Sequence, residues 1–311
     1  MKKNYFFFTE GRPIKNISFG HFFRSYEAAK FLKKKGYKCF FVIKDSKYVK
    51  KYLDKINFKI INSNKFKKKD IYKDKSILVF DKFSLTNFEI NSFKYYKKII
   101  FDDYNRFKNK NNCLILRTNL SKREFRNYTF NSYNFRLLKF LNLDEKKSKI
   151  KKKNILIFLG GSDIKDNISK ILRLILKEKI NNYFNFNFYL GPGVNKNFPT
   201  NLKNIFFFKN NEKSLDKLIK TSLNIITNGG NTMFEMLMRK KNCLIFPSNK
   251  VEIDNSTFFE KKKIVLKYKK NRKFIHQIND LRKLKVKTKS SKYFDKKKVR
   301  KDFEIAFNNY L

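Results

Sequence analysis

The chain has 311 residues, of which 41% are hydrophobic and 17% aromatic. That is enough to build a sizeable core beside the 32% that are charged, and it excludes a disordered polymer. The formal charge of +49 comes mostly from lysine spread over every segment, without the clustered arginine of a nucleic-acid reader; solvated lysine faces produced by compositional drift outweigh an anionic partner as its explanation. No apolar run nears the roughly 20 residues that span a bilayer, so neither a specific nucleic-acid partner nor a membrane span is expected, and a basic nucleic-acid-binding protein stands as the alternative of another class.

The N-terminal MKKNYFFFTEG has an apolar stretch only from Tyr5 to Phe8, too short for a signal peptide, and a cytoplasmic location is expected. Strand-like runs follow at 4–8, 38–43, 58–62, 76–81, 98–103 and 113–117. Between the first two, Phe22, Phe23, Tyr26, Ala29 and Leu32 recur at helical spacing, and Gly36 is placed to end that helix. The charge run at 146–153 has no apolar face, and the pattern restarts after it. Two domains are therefore expected, 1–150 and 151–311.

The second half reads as strands near 154–159, 185–190, 204–209, 223–227, 242–246 and 264–268. They alternate with helices at 167–177, 214–220, 232–238 and 254–262 and a helical tail at 295–310. Continuous apolar strands separated by helices predict parallel sheets covered on both faces, an α/β class with doubly wound units. Cys39, Cys113 and Cys243 each lie in a strand-like run. An odd, widely spaced set predicts buried thiols in a reducing compartment, not disulfides or a metal site.

Seven of the nine glycines fall at Gly20, Gly160 with Gly161, Gly191 with Gly193, and Gly229 with Gly230, each after a strand and three of the four before a helix. Such junctions bring backbone amides and a helix N-terminus to one point, which suits a phosphate. Ser162 is either a phosphate donor or a helix cap, with Asp163 beside it. In NGGNTMFE, Asn231 or Thr232 caps a helix with Glu235 completing a capping box, or Glu235 takes ribose hydroxyls.

His21, one of two histidines, follows Gly20 at the first junction. The positive end of a helix dipole favours neutral imidazole there, which is what a general base needs; a hydrogen bond to phosphate or backbone is the alternative. His276 lies on an ordinary helix. Asp81 ends one strand and Asp102 with Asp103 another, where open α/β sheets place ligands, although an Asp pair also opens turns.

This ordered set resembles the GT-B fold of nucleotide-sugar enzymes: two Rossmann-like doubly wound domains with a cleft between them and a C-terminal helix. More closely it is similar to the UDP-sugar hydrolases of pseudaminic acid biosynthesis, relatives of the spore-coat polysaccharide proteins and, more distantly, of family 28 glycosyltransferases. The family's G-x-G-H-x-x-R is met by Ser18 to Arg24, its D-x-Y by Asp81-Lys82-Phe83, its acidic pair by Asp102-Asp103 and its Y-A-L-L-R by Tyr133 to Leu137. Its GG-[ST]-D is met by Gly160 to Asp163 and its T-x-x-E by Thr232 to Glu235. Ser18 stands for a glycine, Phe83 for a tyrosine, and Arg136 lies one place early; Glu10 is the candidate for the family's early acidic residue.

The resemblance implies hydrolysis of a UDP-linked 2,4-diacetamido-2,4,6-trideoxy hexose on the way to a nonulosonic acid, with His21 activating water for inverting attack at the anomeric carbon. It assigns Gly20, Arg24, Asp81, Asp103 and Tyr133 to the sugar half. Gly160, Gly161, Ser162, Asp163, Gly229, Gly230, Asn231, Thr232 and Glu235 are assigned to UDP. No metal or redox cofactor is implied, a monomer is expected, and a GT-B glycosyltransferase using a UDP-sugar donor for surface polysaccharide is the alternative.

Overall fold

The computed structural model describes residues 3–308 apart from 12–19, 45, 46, 48, 68, 70, 104, 109–111, 119–123, 127, 133, 141–149, 152, 162, 164, 210, 211, 285 and 287–292. The chain divides into two compact units, Met1–Asn142 with Lys296–Leu311, and Leu143–Asp295.

Unit 1 runs β1 (Asn4–Thr9), α1 (Gly20–Lys34), β2 (Lys38–Ile43), α2 (Lys50–Asp54), β3 (Lys59–Asn62), β4 (Ser76–Asp81), α3 (Asn87–Ser92), β5 (Lys97–Asp102), β6 (Cys113–Arg117), β7 (Glu124–Arg126), β8 (Thr129–Asn131) and α4 (Asn134–Leu137). Its sheet has the order β3-β2-β1-β4-β5-β6-β8-β7, parallel except where β7 meets β8. Alternation splits the phenylalanines of β1 between the two faces. Phe7 stacks on Phe41, which meets Phe22 of α1, while Phe8 stacks on Phe80 and packs on Phe93. Full burial of each ring is worth about 1.5–3 kcal/mol, so these ladders hold β1 at the centre of the sheet.

Unit 2 runs β9 (Asn154–Ile157), α5 (Asn167–Lys177), β10 (Asn185–Leu190), β11 (Ile205–Lys209), α6 (Glu212–Thr221), β12 (Asn224–Thr227), α7 (Asn231–Met238), β13 (Asn242–Ile245), α8 (Lys250–Lys261), β14 (Leu266–Lys267) and α9 (Phe274–Lys283). Its six strands are all parallel, in the order β11-β10-β9-β12-β13-β14. Helix α5 buries Ile168, Ile171, Leu172 and Ile175 against the sheet, the 3-4 spacing of an amphipathic helix.

The last segment departs from the expected 151–311 domain. Helix α10 (Lys296–Asn308) packs in unit 1, where Phe303 meets Phe31 and Phe307 lies 6.0 Å from Tyr5. Asp302, 2% exposed, accepts hydrogen bonds from Ser132 Oγ at 2.6 Å and Asn134 Nδ2 at 2.7 Å, and this polar clasp draws the helix to unit 1. In each sheet the winding reverses direction at one place, between β1 and β4 and between β9 and β12. Ligand crevices form outside the carboxyl ends of the strands at such switch points.

Candidate functional site

At the switch point of unit 1, Thr9 and Asp81 are the last, register-paired residues of β1 and β4, and α1 begins at Gly20 close behind β1. Asp81 is fully buried, and His21 Nδ1 lies 2.7 Å from its Oδ1. An ionised carboxylate only accepts, so the proton sits on Nδ1 and the lone pair of Nε2 is left to act as a base. Arg24, one helical turn on, grips the same carboxylate side-on, Nε to Oδ2 at 2.8 Å and Nη2 to Oδ1 at 2.5 Å. Its Nη1 reaches Asp103 Oδ1 at 2.7 Å, and its guanidinium lies over the Phe101 ring.

Asp103 also accepts from Thr118 Oγ1, and Arg136 Nε donates to that same hydroxyl oxygen at 2.9 Å. Burial raises the pKa of Asp103, but Arg24, then Arg136 and His21, more than reverse this and hold the carboxyl well below the usual carboxylate range. Burial also opposes the charge on Arg24, and Asp103 and Asp81 overcome it, leaving the guanidinium more firmly protonated than in water. The cluster is therefore a fixed ionic lattice that orients His21.

Of the expected residues in this half, Gly20, His21, Arg24, Asp81 and Asp103 come together, and Arg136 joins them. Tyr133 lies outside the described residues, as does Ser18. Asp102, the neighbour of Asp103, does not take part; it accepts from the amides of Arg106 and Phe107, both at 3.0 Å, and opens the turn after β5. Glu10 closes the loop after β4, taking the amides of Phe83 and Ser84 and the Ser84 hydroxyl. Thr118 carries no signal in the sequence, since a lone threonine after a strand is ordinary.

At the switch point of unit 2 the glycine loops pack backbone on backbone. Gly160 adopts φ +87°, a region that favours glycine, and a Cβ there would meet Thr232 Oγ1 at 3.0 Å. A Cβ on Gly191 would lie 2.1 Å from the Gly160 carbonyl oxygen, so the loop after β10 is pressed onto the loop after β9. Around Gly161, by contrast, a Cβ would meet nothing within 4 Å, leaving that backbone face open.

Helix α7 starts behind Gly230 with no side chain capping it. Asn231 and Thr232 lie inside its first turn, so the capping box expected with Glu235 does not form; Glu235 instead faces Arg239, Nη2 to Oε1 at 3.3 Å. Uncapped first-turn amides at a glycine loop are a ready anion site. Asp163 spends its carboxylate on the start of α5, accepting from the amides of Asn167 at 2.9 Å and Ile168 at 2.7 Å, while burial pushes its pKa up. It shapes the loop rather than offering a free charge, and Ser162 lies outside the described residues.

The sequence reading missed Glu252. It is 7% exposed on α8, accepts from the Ser248 amide at 2.7 Å, and brings Oε1 to 3.0 Å from where a Cβ on Gly230 would stand. Burial raises its pKa, offset in part by the amides of Ser248 and Gly229. The signal was the Asn249-x-x-Glu252 spacing of a helix start, with Asn249 accepting from the Glu252 amide at 3.0 Å. His276 is exposed on α9, far in sequence from both glycine loops. Among the described residues no cluster of His, Cys, Asp and Glu is built to hold a metal, and no helix is long and apolar enough to cross a membrane. Cys39, Cys113 and Cys243 are buried free thiols.

No protein-family model matches the chain, and no curated protein matches it. Solved structures do. The glycosyltransferase SnogD from Streptomyces nogalater superposes with a TM-score of 0.60 at 10% identity over 99% of both chains. MurG from Acinetobacter baumannii gives 0.53 at 12% identity over 98% of this chain and 99% of that one. The spinosyn forosaminyltransferase SpnP gives 0.52 at 11% identity over 98% and 96%. The two doubly wound α/β units of this protein thus have the GT-B fold of glycosyltransferases.

Proposed function

We propose that the protein is a glycosyltransferase using a UDP-sugar donor. The observation that carries this reading is the His21–Asp81 pair at the switch point of unit 1, which leaves Nε2 of a neutral imidazole as a base. His21 takes the proton from an acceptor hydroxyl as its oxygen attacks the anomeric carbon, and the bond from that carbon to the UDP oxygen breaks with inversion. The open backbone at Gly161 and the uncapped start of α7 receive the departing diphosphate. A base of this kind supplies about 2 to 4 powers of ten, and fixed dipoles on the leaving group supply more. Fold likeness to several glycosyltransferases supports transfer over hydrolysis. The hydrolase reading uses the same residues with water as nucleophile and rests on the Ser18 to Arg24 motif alone.

Incubating the purified protein with a panel of UDP-sugars, with and without saccharide acceptors, tests this. Acceptor-dependent UDP release with a glycosylated product is expected; equal release without acceptor would turn the reading to the hydrolase. Absence of UDP binding, with tight salt-dependent RNA binding in its place, would overturn both.

A further inference from the structure

A cavity of about 280 Å³ opens beside the His21–Asp81 pair, at the carboxyl ends of β1, β2 and β4. It lies at the small end of ligand pockets, which run from about 300 to 1,000 Å³, and so has room for one ring rather than an extended chain. Phe66 is half-buried in its wall, edge-on to Phe8 at 5.2 Å. Thr9 lines it too, 4% exposed, and its hydroxyl finds no hydrogen-bond partner in the protein. Thr9 stands beside Asp81 in the strand register, one strand from the carboxylate that orients His21.

The charges around the cavity cancel. Lys82 Nζ sits 2.6 Å from Glu89, the Glu10 carboxylate is held by the Ser84 hydroxyl at 3.1 Å, and Lys44 is exposed at the rim. Two ammonium groups against two carboxylates repel neither cation nor anion, and they leave no gain for a phosphorylated acceptor. So many donors and acceptors around one half-buried ring equally disfavour a hydrocarbon chain. A neutral pyranose meets both demands, with C–H faces for the phenylalanine and a hydroxyl rim for the polar groups.

We infer that this cavity is the subsite for a neutral sugar unit of a saccharide acceptor, with Phe66 packing on the ring and Thr9, Lys44 and Glu10 meeting its hydroxyls. The inference rests on the transferase reading for its role as acceptor, but binding in the cavity is tested separately from donor use. Calorimetric titration of the full chain, with UDP present, uses methyl glycosides of neutral hexoses and N-acetylhexosamines as probes. Saturable binding is expected, weakened about tenfold by Phe66→Ala or Thr9→Val and less by Lys44→Ala, with UDP affinity kept. Lys44 is exposed, so that variant carries no risk to folding. Glycosides that fail to bind while UDP binds, or that bind all three variants as well as the wild type, would overturn the cavity assignment and leave donor recognition standing. Preference for phosphorylated glycosides would overturn it too. Variant-sensitive glycoside binding in a protein that does not bind UDP would uphold the cavity and sink the transferase reading.

Discussion

Arg24 donates to Asp81 through Nε and Nη2 and to Asp103 through Nη1, so one buried guanidinium ties the ends of β4 and β5 to the first turn of α1. The same residue sets the position of His21 without touching any reacting atom, because the carboxylate that receives the imidazole proton is itself held by Arg24.

Replacing Arg24 by Met therefore strands Asp81 as a buried, unpaired charge. Removing one partner of a buried ion pair costs about 3–5 kcal/mol, and a fall of that size in unfolding free energy is expected by urea titration. His21→Ala, at a half-buried side chain, is expected to leave stability nearly unchanged. It should lower kcat by about 2 to 4 powers of ten, with UDP affinity intact by calorimetry.

Asp103 carries an acid-sensitive share of the stability. Its folded pKa lies below the unfolded value of about 3.9, so its contribution is complete above that pH and drains away as pH falls through the lowered folded value. In denaturant titrations at pH 5 and pH 3, Asp103→Asn is expected to lose less stability on acidification than the wild type. Parallel losses in the two proteins would contradict the ionic lattice.

Glycines in the two loops of unit 2 respond in opposite ways. Gly191→Ala puts a methyl on the Gly160 carbonyl oxygen and is expected to destabilise by about 1–3 kcal/mol or more. Gly161→Ala meets open space and is expected to leave the melting temperature unchanged while weakening UDP, since the methyl occupies the face a diphosphate approaches.

Glu252 places a titratable group beside the start of α7. Its pKa is raised by burial, and a diphosphate nearby favours its protonated form further. Affinity for a UDP-sugar, whose diphosphate diester has no proton to lose near neutrality, is expected to fall as pH rises through the Glu252 titration. Glu252→Gln should flatten that profile in calorimetric titrations from pH 5 to 8 and bind more tightly at the upper end.

The strands and long helices are legible in the sequence because each carries its own period. Residues 38–43, 76–81 and 113–117 emerge as strands at the boundaries read from their apolar runs, and α5 at 167–177. Strands β7 and β8 are three residues each, too short to show alternation. Helix α8 begins at Lys250, a turn before its apolar spacing starts, which hid Glu252 in what reads as a loop. Adjacent Asp102 and Asp103 look alike in sequence, yet at the end of a strand neighbours point to opposite faces, one into a turn and the other to Arg24. Such divisions of labour are set by tertiary partners such as Thr118, which no local pattern announces.

The return of α10 to unit 1 fixes an order of assembly during translation. Leu143–Asp295 is one continuous stretch and can close while the chain is still on the ribosome. The N-terminal sheet emerges first but waits for Lys296–Asn308 before Asp302 meets Ser132 and Asn134, and before Phe303 and Phe307 cover Phe31 and Tyr5. The usual vectorial sequence, N-terminal domain first, is inverted here. The half that carries the candidate base is the last to become complete, so a chain released early holds a finished nucleotide half and an unfinished catalytic one.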